Sequence, residues 1–72
     1  MTFGQAIEAM REGRHVARVN WNGKNMWIAL QWPDNNSKIT LPYIYMKTAQ
    51  DEIVPWLASQ SDILGVDWAI VN

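Results

Sequence analysis

Apolar residues near the start of the chain recur with helical spacing. Four of them stand at i, i+3, i+4 and i+7 and therefore share one helix face: Phe3, Ala6, Ile7 and Met10. Thr2 and Gln5 have capping-box spacing, in which each side chain satisfies a free backbone donor at a helix start. Gly13 is the residue type that ends a helix in the left-handed conformation. The pattern predicts a scaffold helix over about residues 3–12.

The spacing of apolar residues becomes alternating after this helix, which is typical of strands. Residues 16–20 and 26–32 are predicted to form the first two strands. Asn22 and Gly23 lie between them, and an Asn-Gly step tolerates positive φ at both positions. The segment therefore predicts an antiparallel hairpin closed by a type I′ turn.

The rest of the chain alternates between extended and turn-forming segments. Five features are predicted there: a polar loop over 33–37, a third strand over 39–47 with Pro42 at an edge or bulge, an extended piece from Ile53 interrupted by Pro55, a short helix from Ser59 to near Gly65, and a last strand over 67–71. The predicted fold class is α+β within a single domain over residues 1–72. One N-terminal helix packs on a small, mostly antiparallel β-sheet, and a short helix precedes the last strand.

The chain is too short to build a large core of its own. A domain of 72 residues buries only about 60% of the surface that its unfolded chain exposes. Small domains offset this with disulfides, metals or self-association, and the chain has no cysteine and one histidine. Both faces of the third predicted strand look covered, and five tryptophans exceed what one small core readily encloses. These features predict a homo-oligomer.

Charge is unevenly distributed along the chain. The formal net charge is −1, which argues against a general nucleic-acid binder. All six basic residues lie between Arg11 and Lys47, whereas the segment from Thr48 onward carries only acidic ones. A basic half and an acidic half can bind an anion or pair with each other in an oligomer, and the sequence leaves both open. No apolar run reaches the roughly 20 residues of a membrane span and no export signal is visible, so a cytoplasmic location is expected.

Residues for catalysis are poorly supplied. Ser59 and Ser61 have no base near them in sequence, because His15, the sole histidine, is distant. No nucleophile-elbow motif surrounds either serine. Asp62 and Asp67 are five positions apart, which would place them on different sides of a short helix, so we expect a helix cap by Ser61 or Asp62 and a turn aspartate at 67. No phosphate-binding glycine loop or acidic metal cluster is visible. The sequence predicts no enzyme activity, cofactor or metal.

Residues for binding are better supplied. An aromatic ring stacks on a nucleobase with about 1–3 kcal/mol per base. Four tryptophans have polar neighbours and are candidates for this role: Trp21, Trp27, Trp56 and Trp68. Arg18, Lys24 and Lys47 are able to neutralise phosphates. The alternative, which holds outright for Trp32, is that the tryptophans form core and subunit interface.

Several sequence blocks resemble those of a small phage and prophage family, the Thoeris anti-defence protein 2 family. The specific ones are Trp21-Asn22-Gly23-Lys24 and Pro55-Trp56-Leu57-Ala58-Ser59-Gln60, in this order. The opening Phe3-Gly4-Gln5-Ala6 and the stretch from Leu41 to Ala49 also fit, so the resemblance spans nearly the whole chain. The chain departs from the pattern in its compact 33–37 loop.

The resemblance implies a sponge for immune signals in the cytoplasm of the bacterial host. Family members bind cyclic ADP-ribose signals of Thoeris immunity, notably glycocyclic forms, and some relatives hold cyclic di- or trinucleotides, which would extend the role to CBASS. They keep the signal intact, so that the downstream effector is never activated. They assemble as homotetramers with ligand pockets between subunits.

The resemblance also implies ligand-binding residues and no catalytic or metal-binding ones. Trp21 or Trp27 would stack a base, Asn22 and Gly23 would contact the ligand through amide groups, and Lys24 or Arg18 would lie near phosphate. Five further residues would close the pocket, with a neighbouring subunit as their possible source: Trp56, Ser59, Gln60, Asp62 and Trp68.

Three other functions stay open at this point. The chain is compatible with a small phage structural or assembly protein whose tryptophans only build the oligomer. A single-stranded nucleic-acid binder is disfavoured by the net charge of −1. A hydrolase of the same cyclic nucleotides would return degraded ligand.

Overall fold

The computed structural model describes residues 1–72 as two helices and a five-stranded sheet. The elements in chain order are α1 (Phe3–Arg11), β1 (Val16–Arg18), β2 (Trp27–Gln31), β3 (Tyr43–Lys47), β4 (Ile53–Pro55), α2 (Gln60–Leu64) and β5 (Trp68–Ile70). The strands lie in the order β4-β3-β2-β1-β5, and every neighbouring pair is antiparallel. The predicted α+β fold class is confirmed. Neither helix has the length and apolar character needed to cross a membrane.

The start and end of α1 follow from local chemistry, as predicted. The Thr2 hydroxyl accepts a hydrogen bond from the Gln5 amide at 3.2 Å, and the Gln5 side chain accepts one from the Thr2 amide at 2.8 Å. Gly13 has φ +88°, which is the left-handed conformation that glycine adopts without a steric penalty. The capping box and the glycine stop therefore define the helix at both ends.

The core lies between α1 and one face of the sheet. Its fully or nearly fully buried members come from both layers: Ala6, Ala9 and Met10 of α1, Val16 and Ile28 of the central strands, and Trp68 of β5. Only 8 of the 72 residues are buried in the isolated chain, as the argument from chain length anticipates. The apolar layer is therefore small, and polar contacts add to it.

The other face of the sheet carries no helix, and we call it the open face. Strand alternation and register place ten residues on it: Ala17, Trp27, Ala29, Gln31, Tyr43, Tyr45, Lys47, Ile53, Pro55 and Ala69. Two aromatic rings contact each other on the open face, where the ring of Trp27 meets that of Tyr45 edge-on at 6.0 Å. Because Ile44 and Met46 pack against the core on the opposite face, β3 is covered on one face only within this chain.

The hairpin prediction is correct in topology and wrong in its turn. β1 and β2 pair antiparallel with Val16 opposite Ile28, but they are joined by the loop 19–26 rather than by two residues. Positive φ occurs in this loop at Asn25, with φ 61°, and not at the Asn-Gly step.

The departure from a tight turn has a tertiary cause. After β1, the amide of Val19 donates to the carbonyl of Asp67 at 3.0 Å, and the amide of Asn20 donates to the Asp67 carboxylate at 3.0 Å. These bonds draw the chain toward β5 and away from β2. A contact distant in sequence thus overrides the local preference of Asn-Gly.

The third strand is shorter than predicted. β3 begins at Tyr43, directly after Pro42, so residues 39–42 lie outside the sheet. Tyr43 pairs with Gln31, the last residue of β2, and no partner strand remains for the preceding segment. Pro42 also lacks an amide donor and disfavours continuation of the ladder. The placement of Pro42 within an edge strand is therefore wrong, whereas Pro55 does lie on the edge strand β4.

Replacing Gly13 by Ala should destabilise the subunit by about 1–2 kcal/mol, because its left-handed φ is costly once a Cβ is present. Gly4 is the matched control, because a Cβ there would meet its nearest atom at an ordinary 3.8 Å. Gly4→Ala should stabilise α1 by about 0.5–1 kcal/mol. Urea unfolding at one fixed protein concentration measures both changes. Equal effects at the two positions would contradict the assigned helix end.

Candidate functional site

Arg18 lies between two carboxylates. Its Nε donates to Asp67 Oδ1 at 2.8 Å, and its Nη1 donates to Asp62 Oδ1 at 3.1 Å. The side chains of Arg18, Asp62 and Asp67 are only 16, 14 and 21% exposed. The pairing of Arg18 with Trp68 across β1 and β5 brings the neighbouring Asp67 to the guanidinium. We call these three side chains the charged hub.

The expectation that Asp62 and Asp67 lie on different sides is wrong. Ser59 is the cap of α2, since its hydroxyl accepts from the Asp62 amide at 3.1 Å, so the cap is neither Ser61 nor Asp62. Asp62 is the third helical residue, and its carboxylate accepts from the Ser59 amide at 3.3 Å. The chain then turns at Gly65 and brings the second carboxylate back to the same guanidinium. Helical spacing does not apply beyond the end of α2.

Each member of the charged hub has a shifted pKa. Hydrogen bonds from the guanidinium to Asp67 and Asp62 raise the pKa of Arg18 above its ordinary value. The bond from Arg18 lowers the pKa of Asp67. Burial tends to raise the pKa of Asp62, but hydrogen bonds from Arg18, Ser59 and Trp21 outweigh it, and the pKa is lowered. All three groups are therefore charged at neutral pH.

An aromatic cluster of Phe3, Trp21, Trp56 and Trp68 adjoins the charged hub. Trp68 is at its centre and is 2% exposed. The rings of Trp21 and Trp56 meet it edge-on, at centroid distances of 5.3 and 6.1 Å. Asp62 connects cluster and hub, because its carboxylate accepts from Trp21 Nε1 at 3.4 Å and its carbonyl accepts from Trp68 Nε1 at 2.9 Å. The ionic and aromatic parts of the site therefore depend on one residue.

Trp27 lies in a different environment from Trp21. It belongs to the open face, where the ring of His15 stacks on it at 3.7 Å and an interplanar angle of 12°. One face of the indole is therefore already covered within the subunit. The two tryptophans between which the sequence could not choose are thus distinguished by their neighbours.

A cleft of about 480 Å³ lies between the loop 19–26 and the adjoining end of the sheet, and we call it the loop cleft. Ten residues line it: Arg18, Val19, Trp21, Gly23, Asn25, Met26, Trp27, Lys47, Val71 and Asn72. Its volume falls within the range of about 300–1,000 Å³ typical of small-molecule sites. Aromatic rings, side-chain amides and cations meet in this cleft.

The structure brings some of the predicted site residues together and separates others. Four line the loop cleft: Arg18, Trp21, Gly23 and Trp27. Trp56, Asp62 and Trp68 lie behind it, in the aromatic cluster and the charged hub. Asn22, Lys24, Ser59 and Gln60 are exposed and do not line the loop cleft. Trp68 is buried and contacts Trp21, and it has no surface in the cleft itself.

Several cleft residues were not among the predicted site residues. Val19, Asn25, Met26, Val71 and Asn72 line the cleft, and Asp67 holds its wall through Arg18. Lys47 also lines it, and the sequence had named Lys47 as a residue able to neutralise phosphate, although not among the site residues that the resemblance implies. For the pairing of Arg18 with Asp67, the only signal was the segregation of basic and acidic residues along the chain. Two further depressions, of about 450 Å³ beside α1 and about 430 Å³ on the open face, have mostly apolar linings. Neither combines indoles with amides and cations.

The charged hub should make the protein acid-labile. The folded-state pKa values of Asp62 and Asp67 lie below the ordinary 3.8, so the unfolded chain binds more protons than the native one at acidic pH. The contribution of the charged hub to the free energy of unfolding is complete above about pH 5. It is lost as the pH falls through 3.8 toward the lower pKa values that the two carboxyls have in the folded state. Urea unfolding between pH 7 and the acid range measures this loss.

Asp67→Asn should reduce the loss of stability at acidic pH and lower stability at neutral pH, because the charged acceptor for Arg18 Nε is gone. Asp34→Asn, in an exposed loop, is the matched control and should leave the dependence of stability on acidic pH unchanged. An Asp67→Asn variant that keeps the full wild-type acid dependence would contradict the assigned hub.

Comparison with known proteins agrees with the resemblance noted in the sequence. The family model described as "Thoeris anti-defense 2-like domain" matches residues 1–71. A relative named Thoeris anti-defense 2, from Bacillus phage SP01, is 36% identical over an alignment of 85 positions, gaps included. The alignment covers 100% of this chain and 96% of that relative. The chain therefore belongs to the Thoeris anti-defense 2-like family, whose name describes an anti-defence role against Thoeris.

Proposed function

We propose that this protein is a phage anti-defence sponge. It binds a cyclic ADP-ribose signal of Thoeris immunity, the glycocyclic form by preference, and holds it without cleavage, so that the downstream effector is not activated. Membership of the family supports the anti-defence role. The observation that carries the sponge mechanism is the loop cleft, where a tryptophan ring, amide groups and a cation surround one space.

The lining of the loop cleft matches the parts of such a ligand. Adenine offers a π-face for stacking, the riboses offer hydroxyls for amide groups, and the diphosphate offers negative charge for a cation. Trp21 is the base platform in this proposal, because its indole is held by Asp62 and Trp68 while the residue still lines the cleft. Trp27 forms a side wall, because His15 already stacks on it.

The loop backbone approaches the cleft closely at Asn22-Gly23. A Cβ at Gly23 would collide with the Met26 side chain and lie 3.3 Å from the Cβ of Ala49. Only glycine therefore fits without a rearrangement. We propose that the peptide groups of Asn22 and Gly23 face the ligand, with Lys24 at the outer edge of the site.

The arrangement of nucleophiles favours capture over cleavage. The Ser59 hydroxyl caps α2 and lies 3.1 Å from that of Ser61. His15 is stacked on Trp27, with its Nδ1 3.3 Å from the Asn72 amide nitrogen. Asp62 and Asp67 are engaged by Arg18. Neither serine is thus paired with a general base in the way that covalent nucleophilic catalysis requires.

Arg18 acts as a positioning residue in this proposal. Two of its guanidinium nitrogens donate to carboxylates that are themselves largely buried. Transfer of Arg18 to a phosphate would leave Asp62 and Asp67 buried without a counter-charge, which is unfavourable. Arg18 therefore holds the wall behind Trp21 and does not contact phosphate.

We further propose that four subunits assemble and that neighbours complete each site. The small core and the uncovered open face support self-association. Ser59 and Gln60 are exposed and follow Trp56 closely in the chain, and in this proposal they contact the cleft of another subunit. This accounts for their separation from the loop cleft of their own chain.

Trp21→Ala should weaken binding of glycocyclic ADP-ribose by about 5- to 150-fold, the equivalent of one lost base stack of 1–3 kcal/mol. Wild type should bind tightly in calorimetry, and heat denaturation should release unchanged ligand. Asn36→Ala, in the exposed 33–37 loop outside the cleft, is the control and should bind as wild type. Failure of wild type to bind any cyclic ADP-ribose, or release of degraded ligand, would refute the sponge. Cyclic di- and trinucleotides as competitors define its range.

Tyr43→Glu should break the assembly, because it places a charge among the apolar residues of the open face. Native mass spectrometry should find a tetramer for wild type and smaller species for this variant. Lys38→Glu, a charge reversal in an exposed loop, is the control and should remain tetrameric. A monomeric wild type would rule out the proposed quaternary structure.

A small phage structural or assembly protein is the second candidate. The observation that favours it is the strong exposure of Leu41 and Leu57, at 73% and 92%. Apolar side chains of this kind are typical of protein–protein contacts. Wild-type protein that assembles but gives no heat with any cyclic nucleotide would support this function over the sponge.

A further inference from the structure

We infer that Lys47 is the cation that receives the ligand's phosphate in the loop cleft, and that Asp51 occupies its place until the ligand arrives. The inference rests on the proposed function, since it concerns the same cleft. It names the chemical class recognised there, a phosphate or diphosphate group.

Lys47 is held at the wall of the cleft by the sheet. It is the last residue of β3 and lies opposite Trp27 in the ladder with β2. Its Nζ donates to the carbonyl of Asn25 at 3.0 Å and to Asp51 Oδ1 at 2.7 Å. An ammonium group has three donors, so one remains for a further acceptor.

The two partners of this ion pair differ greatly in exposure. The Lys47 side chain is 20% exposed, whereas that of Asp51 is 80% exposed. Water and salt screen an exposed carboxylate, so the pair contributes little to stability and exchanges readily. A phosphate entering the cleft can displace Asp51 without burying an unpaired charge, because the carboxylate is released into solvent.

The backbone, more than the ion pair, determines where Asp51 lies. Asp51 has φ 65°, a left-handed conformation that aspartate and asparagine adopt more readily than most other residues with a side chain. Its amide donates to the Thr48 carbonyl at 3.0 Å, and the Thr48 amide donates to the Glu52 carbonyl at 2.8 Å. The turn therefore holds the carboxylate beside Lys47 and keeps it at the edge of the cleft after displacement.

The same turn borders the cleft from the side of Gly23, whose Cβ, if present, would lie 3.3 Å from that of Ala49. Among charged residues, only Arg18 and Lys47 line the cleft. Arg18 is engaged by the two largely buried carboxylates of the charged hub, and Lys47 by one exposed carboxylate. Lys47 is thus the cation that can change partner at low cost.

Two opposite substitutions test this exchange by calorimetry with glycocyclic ADP-ribose and with inorganic diphosphate. Lys47→Met should lower affinity for both at least about tenfold and weaken the salt dependence of binding. Asp51→Asn should raise affinity up to about fivefold, because it removes the competing charge while asparagine tolerates the left-handed φ. Lys38→Met and Asp34→Asn are the matched controls in an exposed loop. Lys47→Arg should restore most of the affinity.

The outcomes separate this inference from the proposed function. Wild type that binds the cyclic signal while Lys47→Met binds equally well, or Asp51→Asn binds more weakly, overturns the inference and leaves the sponge intact. Wild type that binds no cyclic ADP-ribose overturns the sponge. In that case the inference about Lys47 is tested by inorganic diphosphate alone. Diphosphate binding that is lost in Lys47→Met supports an anion site at Lys47, and absence of diphosphate binding overturns the inference. Asp51→Asn keeps the test valid even where Lys47→Met fails to fold.

Discussion

The guanidinium of Arg18, placed between Asp62 and Asp67, is the contact on which the rest of the structure depends. It joins β1, α2 and the start of β5, and through Asp62 it reaches the indole nitrogen of Trp21. Because the apolar core of the chain is so small, this polar contact helps to fix how these elements are placed relative to one another. The hub also explains why the first loop bends toward β5, since the Asp67 carboxylate accepts an amide of that loop as well.

What could be predicted from the sequence was governed by neighbours in the chain. The capping box of Thr2 and Gln5, the stop at Gly13 and the short helix after Ser59 depend on residues a few positions apart, and all are present. The Asn-Gly turn failed because Asp67, far along the chain, competes for the loop's backbone donors. Spacing along a helix likewise gave no warning that Asp62 and Asp67 converge.

The candidate site shows the same division. The sequence named Trp21 and Trp27 as alternative base-stacking residues. In the structure, Trp27 stacks on His15 on the open face, whereas Trp21 contacts Trp68 in the aromatic cluster. Lys47 enters the cleft because strand register sets it opposite Trp27, and register is a property of the assembled sheet. The proposed recognition of a polar ligand depends on which charges are already paired within the protein, and that pairing is visible only in the folded molecule.

The position of β5 at the sheet edge beside β1 has a consequence for synthesis. Arg18 and Asp67 are 49 residues apart, so the wall of the cleft closes only when the last strand has left the ribosome. Such distant pairing is slow to form, because a long loop must be ordered before any contact compensates. Arg18 on β1 therefore stays without its ionic partners until Asp62 and Asp67 have been synthesised and can fold back onto it.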